Sequence, residues 1–291
     1  MTTKRAEAIA HGAATIINAM ATGEGAAFGV DLWTKAEVKL TDEPGIISGE
    51  ITSDPSENTL LIEKTVTHVL KRFKAEKKFG AKVKTQSSIP IARGLKSSSV
   101  AANAVSLATL AALGEELDDY ELVNIGVDAA FDAKVTVTGA FDDACASYFG
   151  GLVVTDNTKR KLMMRISLPE GLSVLFHIPS KKEYSANSDL NRIRTVAPLV
   201  KLAFREAVHA NFWTALSLNG LLYSSALGFN PSVALDALGA GALAAGLCGK
   251  GPAVTAVVSD EKIDQVKTAL QSYEGRIMQA QFNLEKASVV T

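Results

Sequence analysis

Three consecutive serines, Ser97, Ser98 and Ser99, stand between a glycine turn and an alanine-rich helical run, and this junction constrains the fold more than any other stretch. Ala81–Ile89 reads as a strand, Pro90 to Lys96 turns the chain around Gly94, and a helix follows from Ser98 to Leu113. A glycine turn brings backbone N–H groups close to a ligand, and the first turn of a helix leaves its N–H groups unpaired. With a dipole worth about +0.5 charge, these make a socket for phosphate. The serine hydroxyls have three uses there: capping the helix, binding a phosphate oxygen or ligating Mg²⁺. Plain capping competes with phosphate binding, because Ser before an apolar run is how many helices start. Pro90, Gly94 four residues on and the serine triplet together favour phosphate. A P-loop is excluded. Gly94-Leu95-Lys96-Ser97 has Leu between Gly and Lys, and Gly249-Lys250-Gly251 has no hydroxyl after the Lys.

At 291 residues, 47% hydrophobic and 21% charged, the chain is long and apolar enough for one large or two modest globular domains. Its net charge of −1 offers no global pull toward nucleic acid or anionic membrane, so neither is expected as a partner. The lysines between Lys71 and Lys84 read as the solvated end of a helix. Trp33 and Trp213 are the only tryptophans and give no stacking platform. Cys145 and Cys248 form no CxxC and are read as free thiols in a reducing cytoplasm. Met1–Arg5 lacks the apolar core of a signal peptide, and no apolar run reaches spanning length, which points to a cytoplasmic protein. A monomer or homodimer acting on a small molecule is expected.

The elements mix without a regular βαβ repeat, which favours α+β over a Rossmann sheet. Ala26–Leu40 reads as a strand pair, Thr59–Glu76 as a helix capped by Asn58, and Tyr120–Phe131 as another helix. Leu152–Thr155 is a short strand, and the charged turn Asp156–Lys161 is the expected boundary between domains 1–156 and 157–291. Beyond it come a strand at Leu172–Ile178 and helices over Asp189–His209 and Phe212–Leu227. Asn230-Pro231 starts a further helix, Gly251–Val258 is a strand, Asp260–Ser272 a helix and Arg276–Leu284 a closing strand.

Two further constellations carry chemistry. Asp142 and Asp143 lie between glycine turns and apolar side chains, where carboxylates are costly unless solvated, paired or near a cation. One is expected to cap a short helix from Ala144, leaving the other free to accept or orient a hydroxyl proton. Gly246–Ala256 is a glycine loop that lets backbone approach a ligand, with Lys250 adding a positive charge.

In that order, the three segments resemble the GHMP kinase superfamily, the galactokinases, homoserine kinases, mevalonate kinases and their relatives. Its signature Pro-x-x-x-Gly-Leu-Gly-Ser-Ser-Ala is matched from Pro90 to Ser99, and its late glycine loop by Gly249–Pro252. An Asp seven residues before a Gly-Gly pair falls on Asp143 rather than Asp142. Within the superfamily, Ile-Pro-Ile-Ala-Arg-Gly-Leu-Lys-Ser-Ser-Ser and Thr138–Cys145 are similar to the archaeal shikimate kinases. The resemblance implies a two-domain fold, with an N-terminal domain like domain 2 of ribosomal protein S5 and a ferredoxin-like C-terminal domain. It implies ATP- and Mg²⁺-dependent phosphorylation of the 3-hydroxyl of shikimate, in chorismate and aromatic amino-acid synthesis. Another small-molecule kinase of the superfamily, acting on homoserine or mevalonate, is the alternative. A non-catalytic nucleotide-binding protein is the reading from another class, and the intact acidic loop argues against it.

The resemblance also implies roles. Pro90, Ile91, Ala92 and the backbone through Arg93, Gly94, Leu95, Lys96, Ser97, Ser98 and Ser99 would wrap the ATP phosphates, and Asn58 would reach the base. Ser98 and Asp132, eleven residues before Asp143, would serve Mg²⁺, although Asp is shorter than the usual Glu. Asp143 would be the base. Arg192 and Arg194 are the expected carboxylate partners of the acceptor, with Asn18, Gly249 and Lys250 beside it and His11-Gly12 as secondary positions. Lys96 replaces a glycine of the signature, so the turn must either avoid the left-handed conformation or accept strain there.

Overall fold

The structure, a computed structural model, describes residues 4–168, 170–180 and 189–290. It begins with a long antiparallel hairpin of β1 (Arg5–Ile17) and β2 (Glu24–Thr41). β3 (Ile47–Ile51), α1 (Leu60–Arg72) and β4 (Gly80–Ser87) follow as a crossover unit whose strands run parallel. Then come α2 (Ser97–Leu113), α3 (Asp119–Asp132), α4 (Phe141–Phe149) and a second hairpin, β5 (Leu152–Asp156) and β6 (Lys161–Ile166). The remainder is β7 (Leu172–Ile178), α5 (Leu190–Thr195), α6 (Ala197–Val208), α7 (Phe212–Leu227), α8 (Ser232–Gly239), β8 (Ala244–Leu247) and β9 (Val254–Ser259). A 3-10 turn at Asp260–Lys262, α9 (Ile263–Leu270), β10 (Arg276–Gln281) and β11 (Ser288–Val290) close the chain. Among the described residues one sheet has the order β11-β1-β2-β4-β3, with β5 and β6 joined to the free half of β2; the other is β10-β7-β9-β8. The fold is α+β with two sheets.

The segment expected as a strand pair is one strand. The β1–β2 register jumps from His11–Trp33 to Gly12–Val30, so Asp31 and Leu32 bulge out while pairing continues. A bulge interrupts the alternation of side chains without ending the strand, which is why the pattern read as two. Past the bulge, Thr34, Ala36, Val38 and Leu40 are buried and Lys35 and Lys39 exposed, as on a sheet with one wet face. Before it, Gly25–Val30 is buried throughout, and Phe28 packs against Trp213 and Phe282 of the second domain.

α2 is a central helix, alanine-rich because it must pack against β1, β2, α1, α3 and α4 at short range. Its Asn103 amide donates to the Ala144 carbonyl at 2.9 Å, which ties the start of α4 to α2. Gly114, in the left-handed conformation at φ 72°, ends the helix.

The domain boundary expected at Asp156–Lys161 falls inside a hairpin. β6 pairs with β5, so the first sheet runs on to Ile166, and β11 returns the C-terminal segment to β1. β8 was not expected, because Ala244–Leu247 is mostly Ala and Gly. Smallness is what the site requires. A Cβ on Gly220 of α7 would lie 2.2 Å from the Gly246 Cα, so α7 and β8 meet backbone to backbone.

The two domains are pinned where β1 ends. The buried Tyr223 hydroxyl of α7 accepts from Ala21 N–H and donates to the Asn18 carbonyl, both at 2.9 Å. Tyr223→Phe leaves both backbone groups unpaired, so we expect a loss of about 1–3 kcal/mol in urea denaturation. A variant with unchanged stability would show that this pin does not hold the domains.

Candidate active site

A cleft of ≈ 370 Å³ lies between the start of α1, the start of α2, the start of α4 and the loop 134–138. β3 and α1 contribute the apolar Ile51, Leu61 and Ile62, and the sheet adds the hydroxyls of Thr34, Thr85 and Ser87. Gly94, Lys96 and Ser97–Ser99 form one polar wall. Asp142, Asp143, Asn18 and Lys250 also line it.

Backbone strain concentrates here. Ala92, Lys96, Lys134 and Ala140 have φ of 55°, 63°, 56° and 49°, and all four line the cleft. The left-handed region costs a non-glycine residue roughly 1–2 kcal/mol, and strain of this kind is kept where geometry demands it. Lys96 and Ala140 immediately precede α2 and α4, and neither helix has a side-chain cap. The Ser97, Ser98 and Ser99 hydroxyls form no hydrogen bond with another described residue, so they do not cap α2. The N–H groups of its first turn and three hydroxyls are left for a ligand.

Opposite them, Asp143 Oδ2 takes an ion pair from Lys96 Nζ at 2.9 Å, with the side chains 5% and 13% exposed. Its Oδ1 is buried with no hydrogen-bond partner. Asp142 is held differently. Its Oδ1 accepts from Asn157 Nδ2 at 2.7 Å, and Asn157 Oδ1 accepts from Thr155 Oγ1 at 2.7 Å. The cap expected from one of the pair is absent, because α4 begins at Phe141 and both aspartates lie inside its first turn. Burial, then the neighbouring charge of Asp143, push the Asp142 carboxyl up to about 7 against the opposing pull of Lys96 and Asn157. Burial pulls Lys96 down, but Asp143, with Cys248 and Asp142, outweighs it and its pKa is raised. Lys250 is brought down to about 8 by burial and by the charge of Lys96.

The late glycine loop supports the turn at Gly94 from behind. A Cβ on Gly94, itself at φ 84°, would lie 2.5 Å from the Cys248 carbonyl oxygen and 2.9 Å from that of Gly251. Ala253 N–H donates to the Arg93 carbonyl at 3.2 Å. Asn18 Nδ2 donates to the Gly249 carbonyl at 2.8 Å, and Asn18 Oδ1 accepts from Met20 N–H at 3.0 Å.

Of the positions singled out in the sequence, the cleft brings together Asn18, Asn58, Ile91, Ala92, Gly94–Ser99, Asp143 and Lys250. Asn58 also accepts from Leu60 N–H at 2.7 Å and so caps α1. Eight positions lie elsewhere. Pro90 and Arg93 face a second cavity with Ser88, Ile178 and Arg276, because the turn reverses direction at Gly94. Gly249 stands behind Lys96 rather than in the wall. Asp132 ends α3 on its outward side, where its carboxylate meets His68 Nε2 at 2.8 Å and is held below the usual carboxylate range by that bond. The same helix turns Ala129, Ala130 and Ala133 inward. Arg192 and Arg194 flank the buried Ile193 on α5, so helical phase exposes both and neither lines the cleft. His11 and Gly12 sit at the β1–β2 bulge, also outside it. The sequence reading missed the direction of the Lys96 side chain, the Asp142–Asn157–Thr155 chain and the strained loop at Lys134. Only the lysine in place of a signature glycine pointed toward any of them.

Fold and cleft together define a kinase of the GHMP class. Residues 61–151 match the GHMP kinases N terminal domain. A homoserine kinase from Cytophaga hutchinsonii superposes with a TM-score of 0.76 over 100% of this chain and 98% of its own, at 18% identity. Lactococcus lactis galactokinase complexed with galactose gives 0.76 over 98% and 95%, at 16% identity. At such identities the likeness is one of fold. Sequence likeness is much closer to proteins called shikimate kinase: that of Methanosarcina mazei is 46% identical over 97% of this chain and 95% of its own length. That of Halobacterium salinarum is 40% identical over 96% and 98%. The chain belongs to the archaeal shikimate kinase family of GHMP kinases.

Gly94→Ala places a methyl group against two carbonyls in a conformation alanine resists. We expect stability to fall by at least ~1 kcal/mol and nucleotide affinity by about tenfold or more, read by thermal melting and titration with an ATP analogue. Retained affinity would place the phosphates away from this turn.

Proposed function

We propose that this kinase transfers the γ-phosphoryl group of ATP to the 3-hydroxyl of shikimate, forming shikimate 3-phosphate and ADP. The observation that carries the reading is Asp143 Oδ1, buried without a partner in the cleft that also holds the free hydroxyls of Ser97–Ser99. The extent of identity to the shikimate kinases supports the acceptor.

The phosphates of ATP rest on the N–H groups and hydroxyls at the start of α2, and the base extends toward Asn58, Leu61 and Ile62. Mg²⁺ fits this site as an ion carried mainly by the phosphates, which is its usual mode. Among the described residues no group of three His, Cys, Asp or Glu side chains forms a dedicated cage, and the unpartnered Ser98 hydroxyl would complete its shell. When bound, the ion would neutralise charge on the phosphates of ATP. Asp143 Oδ1 accepts the hydrogen bond of the acceptor hydroxyl and takes its proton as the new O–P bond forms. The bond from γ-phosphorus to the bridging oxygen breaks in line, and catalysis comes largely from positioning and charge. The acceptor carboxylate goes to Lys250, which lies in the cleft where Arg192 and Arg194 do not.

A coupled ADP-release assay with shikimate, homoserine and mevalonate tests the acceptor, and we expect turnover with shikimate alone. Asp143→Asn should lower kcat by about 10²–10⁴-fold while ATP affinity stays within a few-fold; unchanged turnover would remove Asp143 from the mechanism. Lys250 is charged below its folded-state pKa of about 8 and neutral above it. The KM for shikimate should therefore rise as pH passes 8, and Lys250→Met should raise it about tenfold and flatten that rise. A KM effect confined to Arg192→Ala or Arg194→Ala would move the carboxylate site to α5.

A further inference from the structure

We propose that Lys96 is a positioning residue of the transfer step: by occupying Asp143 Oδ2 it turns the carboxylate so that Oδ1 alone is presented to the acceptor, and it joins that carboxylate to the phosphate turn. This rests on the reading of the cleft as a kinase site. The ion pair, 2.9 Å long and almost fully buried, links the residue before α2 to the first turn of α4. The starts of α2 and α4, two of the three that face the cleft, are thus joined side chain to side chain.

The structure accepts strain to make it. Lys96 sits at φ 63° and ψ 20°, a conformation that glycine adopts freely and lysine does not. Persistence of a long charged side chain at a strained position signals a use for that side chain. The loop behind also leaves room for it. A Cβ on Gly249 would lie 2.7 Å from Lys96 Nζ and 3.1 Å from its Cε, so any residue but glycine would displace the ammonium from Asp143. Gly249, which does not line the cleft, thus shapes the space around Lys96.

The ionisable groups facing the pair are Asp142 on α4 and Cys248 and Lys250 on the glycine loop. During transfer the acceptor oxygen bonds to γ-phosphorus, ADP leaves with the bridging oxygen, and the hydroxyl proton passes to Asp143 Oδ1 and then to water. Lys96 keeps its proton throughout. Its work is to fix which oxygen of Asp143 faces the hydroxyl, Oδ2 being taken and Oδ1 left without a partner.

The test compares Lys96→Met and Lys96→Arg with the wild type, measuring kcat and the dissociation constant of an ATP analogue. We expect Lys96→Met to lower kcat at pH 7 by at least about 100-fold. Its affinity for the ATP analogue should stay within about threefold. Lys96→Arg, which keeps the charge, should recover kcat to within about tenfold of the wild type. An unchanged kcat in Lys96→Met, an arginine variant as slow as the methionine one, or a loss confined to nucleotide affinity overturns the proposal. Should Lys96→Met fail to fold, Lys96→Met combined with Asp143→Asn buries no lone charge. Its kcat should match that of Asp143→Asn within about threefold, and a further tenfold loss overturns the proposal. Wild-type turnover of shikimate decides the acceptor separately, and the Lys96 comparison is made on whichever acceptor the wild type uses.

Discussion

The ion pair between Lys96 and Asp143 is the contact on which the arrangement of the cleft depends. A buried salt bridge is a poor source of stability, because desolvating both ions offsets much of their attraction, but removing one partner costs about 3–5 kcal/mol. Such a pair fixes geometry more than it strengthens a fold. Here it fixes the distance between a helix start able to hold phosphate and a carboxylate with one free oxygen. The surrounding parts serve the same geometry. Gly94 lets the phosphate turn lie on the carbonyls of Cys248 and Gly251, and Asn18 holds the Gly249 carbonyl. Tyr223 in turn holds Asn18 and Ala21. The chain of contacts runs from the second domain to the phosphate turn without a break.

This explains why the cleft needs both domains although most of its walls come from the first. Lys250 and the support for Lys96 come from the loop between β8 and β9, which stands on the second sheet. α7 presses on β8 through the Gly220–Gly246 contact, so the position of that loop is set by backbone packing rather than by flexible side chains. Solved GHMP kinases share the fold at 16–18% identity, since a sheet with a central helix on it can be built from many sequences of the same pattern.

Much of this was legible in the residues. β7 and α7 fall within the spans their periodicity indicates, and α2 begins one residue from where the serine run places it. Local chemistry set those elements: alternation for β7, helical spacing for α7, a glycine turn before α2. What escaped was decided at longer range. The β2 bulge depends on how β1 pairs with it, and no local signal marks Asp31 and Leu32 as extra residues. β8 depends on α7 pressing on glycine. Asp132 stands at a plausible distance from Asp143 in sequence, but the phase of α3 turns alanines inward and the carboxylate toward His68. Arg192 and Arg194 are exposed for the same kind of reason, with Ile193 taking the inward position between them. The choice at Lys96 between avoiding and accepting strain was visible as a question, and the structure answers it with φ 63°.

The most direct test of this account is a crystal structure with a non-hydrolysable ATP analogue and shikimate bound together. The γ-phosphate should rest on the N–H groups and hydroxyls of Ser97–Ser99, with the 3-hydroxyl of the acceptor within hydrogen-bonding distance of Asp143 Oδ1 and Lys96 still on Oδ2. An analogue seated away from the start of α2, or an acceptor hydroxyl directed at a group other than Asp143, would contradict it.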